Sequence, residues 1–105
     1  MKDFRTIYAI LKVLADAMDA GEVDLRLLDP ERLGVSENRR NALLAMLVDE
    51  GYIEGVHAPR YADRKDRPVY LMRPSITLKG LEYLEENSMM RKAADIAKGI
   101  IDVVM

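Results

Sequence analysis

Apolar residues recur at spacings of three and four along the first segment, at Phe4, Ile7, Tyr8, Leu11, Leu14, Ala15 and Met18. That period marks one face of an α-helix. Lys2, Arg5, Lys12, Asp16 and Asp19 fall mostly elsewhere, and Gly21 supplies a stop. A first helix is predicted over about residues 3–20. Ile10 and Val13 widen its apolar stripe, so the helix is either central or in contact on two sides. Residues 23–28 are ambiguous, and their start alternates as a short strand does. Residues 29–34 read as a short helix, capped by Asp29, with Pro30 in its first turn and Gly34 at its end. Ser36 then caps a third helix, with Glu37 near its positive end; it runs to about Glu50 and stops at Gly51. Leu43, Leu44 and Leu47 form its inner face.

The period then changes. Residues 52–57 and 69–72 are β-type, rich in β-branched and aromatic side chains. Residues 58–68 between them are polar, charged and bounded by prolines, as expected of a hairpin with a long mobile tip. Pro74-Ser75 ends the second strand in this pattern. Thr77 caps a helix through Leu78, Leu81, Tyr83 and Leu84 to Glu86, and Asn87-Ser88 punctuates the chain again. A last helix carries Met89, Ala93, Ile96, Ile100 and Val103, spaced four, three, four and three.

The order helix, short helix, helix, hairpin predicts an α+β, mostly helical fold: a winged helix-turn-helix with a two-stranded wing and an extra C-terminal helix. The expected division is residues 1–87 for the winged domain. Residues 88–105 form the C-terminal helix, packing on that domain, on a second subunit, or on both.

Composition narrows the picture. The 105 residues suit one domain, half of them are apolar, and there is no cysteine. Disulfides and thiolate metal sites are therefore excluded. No stretch resembles a membrane span, and the charged N-terminus lacks the apolar core of a signal peptide, so a cytoplasmic location is expected. The net charge is −2, so any nucleic-acid surface has to be local.

Local residues carry a family resemblance. Leu44 and Leu47, then Glu50-Gly51-Tyr52-Ile53, resemble a recognition helix running into a first wing strand. Tyr70, then Ile76-Thr77-Leu78-Lys79-Gly80 with Tyr83-Leu84, resembles the second wing strand passing into a helix. Similar segments occur in MarR-like and PadR-like regulators. The combination is similar, over nearly the whole chain, to the YjcQ family of small bacterial and prophage proteins. The stretches that carry it are Gly55-Val56-His57, Arg67-Pro68, Gly80 with Tyr83-Leu84, and Glu86-Asn87. Glycine, tyrosine and leucine in these places serve the fold. The resemblance implies a winged helix and a presumption of DNA binding, and brings no catalytic residues.

For DNA, the third helix would enter the major groove with the wing beside it. Counting 100° per residue places Asn38, Ala42, Ala45 and Asp49 opposite the core face, with Arg39, Asn41 and Met46 at the margins. Arg40 points toward the core side, so its head has to reach past the helix end to lie near phosphate. The expected helix contacts are Ser36, Asn38, Arg39, Arg40 and Asn41; those of the wing are Arg60, Arg64, Lys65 and Arg67. Asp49 would repel phosphate, and Ala42 and Ala45 would equally admit a protein partner, so a protein-interaction module that does not use DNA is the alternative. The apolar spacing of Met89, Ala93, Ile96, Ile100 and Val103 suggests a homodimer, against packing within one chain.

Enzymatic roles find no support in the pattern. His57 is the one histidine and has no partners at catalytic or metal-ligating spacing. Glu82, Glu85 and Glu86 read as a wetted helix face rather than an acid–base pair. No cofactor, metal or small-molecule ligand is implied.

Overall fold

The structure, a computed structural model, describes the backbone of residues 2–97 and the side chains of residues 3–88. Its elements are α1 (Lys2–Ala20), a 3₁₀ turn (Leu25–Leu28), α2 (Pro30–Leu33), α3 (Glu37–Asp49), β1 (Ile53–His57), β2 (Tyr70–Ile76) and α4 (Leu78–Ala97). The α+β, mostly helical architecture expected from the pattern is present, laid out as in a winged-helix-like fold.

Ile10, Leu11 and Leu14 of α1, Leu28, the α3 residues Leu43, Leu44 and Leu47, and Ile53, Val56 and Ile76 of the hairpin form one buried cluster. Two residues of the predicted α1 stripe differ. Phe4 and Met18 are mostly exposed, while Ile10 is fully buried. A helix of this length spans about 28 Å, and the ends of its stripe overhang a core that occupies its middle. The ambiguous segment after α1 is a 3₁₀ turn, because Asp24 caps it by accepting a hydrogen bond from the Arg26 amide. Asp29 occupies the cap position of α2 without making a side-chain cap bond. Ser36 does cap α3, its hydroxyl accepting from the Arg39 amide at 3.1 Å.

β1 and β2 pair antiparallel, Ile53 opposite Ile76 and His57 opposite Tyr70. β2 continues past the stop expected at Pro74-Ser75, through both residues to Ile76. The register shifts between Glu54 and Val56, which pair with Ser75 and Leu71. The extra residues of this bulge lie on β2 and include Pro74, which is buried where regular pairing is interrupted, so its missing N–H removes no ladder bond. Gly55, at φ +79°, sits opposite the bulge, and a Cβ there would run into the Arg73 carbonyl.

One junction ties α3, the hairpin and α4 together. The Thr77 hydroxyl donates to the Gly51 carbonyl at 2.6 Å and accepts from the Gly80 amide at 3.2 Å. The Lys79 ammonium donates to the Glu50 carbonyl at 2.8 Å and lies 4.7 Å from the centre of the Tyr52 ring. That ring meets Tyr83 edge-on at 5.7 Å. The break expected at Asn87-Ser88 does not occur, and α4 runs unbroken to Ala97. Asn87 donates to the Tyr83 carbonyl and Ser88 to the Glu85 carbonyl, each at 2.8 Å. Both polar side chains thus bond back along the helix they were expected to interrupt. The boundary drawn between residues 87 and 88 falls inside this helix. Among the described residues no helix is long and apolar enough to cross a membrane.

Candidate nucleic-acid interface

The structure brings the outer face of α3 and the loop between β1 and β2 together. Asn38, Asn41 and Ala42 on one side, and residues 65–68 of the loop on the other, line an open cleft of about 450 Å³. Ser36 caps the helix and residues 37–42 form its N-terminal half, where the leucine face turns inward at Leu43 and Glu37, Asn38, Arg39 and Ala42 are exposed. Ala45, expected on the outer face, is buried. Beyond it Asp49, at the helix end, holds the wing. The Arg67 guanidinium donates to both Asp49 carboxylate oxygens, at 2.6 and 2.8 Å, and Arg60 donates to one of them at 3.0 Å. Arg67 also donates through Nε to the Ala58 carbonyl at 2.8 Å, closing the base of the loop.

The expected contact residues divide by what already engages them. The Ser36 hydroxyl is committed to the helix cap. Arg39 turns to α1, donating to both Asp3 carboxylate oxygens at 2.9 and 3.0 Å. Arg40, expected near phosphate, does not reach out past the helix end. It is half-buried, donating to the Leu28 carbonyl at 3.3 Å and to the Asn41 side-chain oxygen at 3.0 Å. Arg64 pairs with Asp66 at 2.6 Å and lies over the Tyr61 ring. Asn38 and Lys65 are exposed, and neither side chain has a hydrogen bond or ion pair among the described residues.

These contacts set the local electrostatics. Hydrogen bonds from Arg67, its charge, and then those of Arg60 hold the Asp49 carboxyl down to about 2. Arg64 likewise lowers Asp66. Asp49 is the residue whose part the sequence did not show. It reads there as a charge that repels phosphate, because its partner Arg67 is distant in sequence and no local spacing links them. Asp3, the partner of Arg39, was missed for the same reason. His57 stacks on Tyr70 across the hairpin, ring centres 6.0 Å apart, and among the described residues no group of three or more His, Cys, Asp or Glu could hold a metal. Of the expected dimer contacts, Met89, Ala93 and Ile96 lie where side chains are not described, and Ile100 and Val103 lie outside the described residues altogether.

A family model described as "YjcQ protein" matches residues 8–103. The chain is 40% identical over 96 residues to a Bacillus subtilis (strain 168) protein described as "Uncharacterized protein YjcQ", covering 90% of this chain and 89% of the relative. A solution NMR structure of the YjcQ protein from Bacillus subtilis superposes with a TM-score of 0.51 at 38% identity, covering 78% of this chain and 91% of that one.

Proposed function

The chain belongs to the YjcQ family, and within that frame we propose that it is a DNA-binding winged-helix protein of phage or prophage type, working in the cytoplasm as a transcriptional regulator. One observation carries the proposal. The N-terminal half of α3 and the loop of the wing, the two elements a winged helix presents to DNA, line a single open cleft. Asn38 is an amide of the kind that pairs with the edge of adenine, while Lys65 is suited to phosphate; Asn41 keeps its amide nitrogen for such a contact, its oxygen being held by Arg40. Ala42 leaves room for a groove wall. No step of this proposal involves catalysis.

A salt titration of duplex binding is the test. Affinity should fall steeply as salt rises. Lys65→Ala should weaken binding to all sequences alike and reduce the salt slope by about one. Asn38→Ala should cost about 1–3 kcal/mol on a preferred sequence and relax the preference at one base. Absence of binding at low salt to varied duplexes would sink the proposal.

A second reading, an interaction module that keeps the fold without using DNA, is favoured by the ion pairs of the wing. Arg60, Arg64 and Arg67 each face an aspartate, and Met46 on α3 is 55% exposed. It requires a protein that co-purifies with the chain and is lost on Met46→Glu or Ala42→Glu.

A further inference from the structure

We propose that Arg60 and Arg67 form a ready-made anion seat, that Asp49 occupies it as a built-in competitor, and that a nucleic-acid phosphate displaces Asp49 when the wing engages DNA. The inference rests on the DNA-binding reading above and assigns that face its control.

The geometry is that of a bound anion. Two guanidiniums converge on one carboxylate, and Arg67 meets it with two parallel bonds. A guanidinium fork fits carboxylate and phosphate oxygens equally well. Arg67 does not depend on Asp49 alone for its position, because its Nε is fixed to the Ala58 carbonyl. Removing the carboxylate therefore leaves the fork aimed at the same place. The seat is also reachable, since the Asp49 side chain keeps 35% of its exposure and that of Arg60 keeps 74%. Asp49 lies in the last turn of α3, where the helix dipole disfavours a negative charge and favours a cation. The two arginines offset that placement, and they would keep a favourable position if another anion replaced the carboxylate. The pair lies at the surface, with the Asp49 side chain 35% and that of Arg67 21% exposed, so exchange needs no unfolding. The seat adjoins the cleft through Arg67, which belongs to both. A phosphodiester strand following the cleft would meet it.

The test uses the full chain with Asp49→Asn, with Arg67→Gln, and with both. Circular dichroism confirms that each is folded, and Asp49→Ser serves if the asparagine variant is not. The expected result is duplex binding about three- to tenfold tighter for Asp49→Asn than for the unsubstituted protein, the gain corresponding to one released surface pair. The salt slope should steepen by up to about two, as two further arginines reach phosphate. Arg67→Gln should remove most of the gain. Equal or weaker binding by Asp49→Asn overturns the proposal. If neither protein binds duplex at low salt, DNA binding fails separately, and titration with inorganic pyrophosphate, followed through the arginine Nε resonances, judges the seat. Tighter pyrophosphate binding by Asp49→Asn upholds it; equal binding overturns it.

Discussion

Three residues show how far single positions can be argued from conformation and charge. Gly55 and Gly51 both have positive φ, at +79° and +84°, yet their surroundings differ. A Cβ on Gly51 would meet open space, whereas one on Gly55 would collide with the Arg73 carbonyl. Gly51→Ala should therefore cost about 1 kcal/mol from backbone conformation alone. Gly55→Ala should cost at least about 2 kcal/mol, because the bulge has to shift as well. Urea unfolding of the two variants decides the point, and equal losses would mean that the close approach at the bulge is absent. Asp49 gives the pH prediction. Its carboxyl is held near 2 against an ordinary 3.8, so it is the folded state whose pKa is depressed. Its contribution is thus fully present above about pH 4 and is lost as pH falls through about 2. A carboxyl ¹³C titration should put the Asp49 midpoint near 2 and return it toward the ordinary value in Arg67→Gln. An unchanged midpoint in that variant would remove Arg67 as the cause.

At the scale of elements, the sequence was most legible where periodicity and caps agree. The bodies of α1 and α3, Ser36 as a cap and Gly34 as a stop all follow from local chemistry that operates unchanged in the fold. It was least legible where a long-range partner overrides a local signal. Pro74 and Ser75 read as a strand end, yet β2 runs through both, because the bulge opposite Gly55 removes the need for a regular bond at Pro74 and Ser75 then pairs with Glu54. Asn87 and Ser88 read as a helix break, yet both hydroxyl and amide find carbonyls one turn back in α4. The two stretches that resemble MarR-like and PadR-like segments, residues 50–53 and 76–80, meet at one structural junction. Gly51 and Tyr52 meet Thr77, Lys79 and Gly80 across the start of α4. This makes a sign prediction. Glycine to alanine in a helix ordinarily stabilises by about 1 kcal/mol, but a Cβ on Gly80 would press on the Tyr52 carbonyl and on Ile76 Cγ1, the latter at 2.6 Å. Gly80→Ala should therefore lower the thermal midpoint. A raised midpoint would show that α4 does not seat this closely on the hairpin.

For the whole molecule, the proposed DNA binding has to be reconciled with a net charge of −2. Among the described residues the three arginines of the loop between β1 and β2 are each matched by an aspartate, so one copy offers few uncommitted cations on the α3 face, Lys65 foremost. Helix face and wing were legible as separate basic or polar segments. Their neutralisation was not, because it depends on pairs such as Arg39–Asp3 and Arg67–Asp49 that only the fold brings together. Two copies would ease the problem. A dimer presents two recognition faces, and half-sites about one helical turn apart, about 34 Å, let both engage one duplex. The spacing of Met89, Ala93, Ile96, Ile100 and Val103 motivates that dimer. Sedimentation equilibrium of the full chain over a wide concentration range should give twice the chain mass. Ile100→Asp should shift the equilibrium to monomer, since burying an unpaired carboxylate at an apolar contact is costly. DNA affinity should fall with it, because the two faces would no longer be linked. A monomer at every concentration would remove the dimer. A dimer that survives Ile100→Asp would place its interface elsewhere. Dissociation without any change in DNA affinity would show that each copy binds alone.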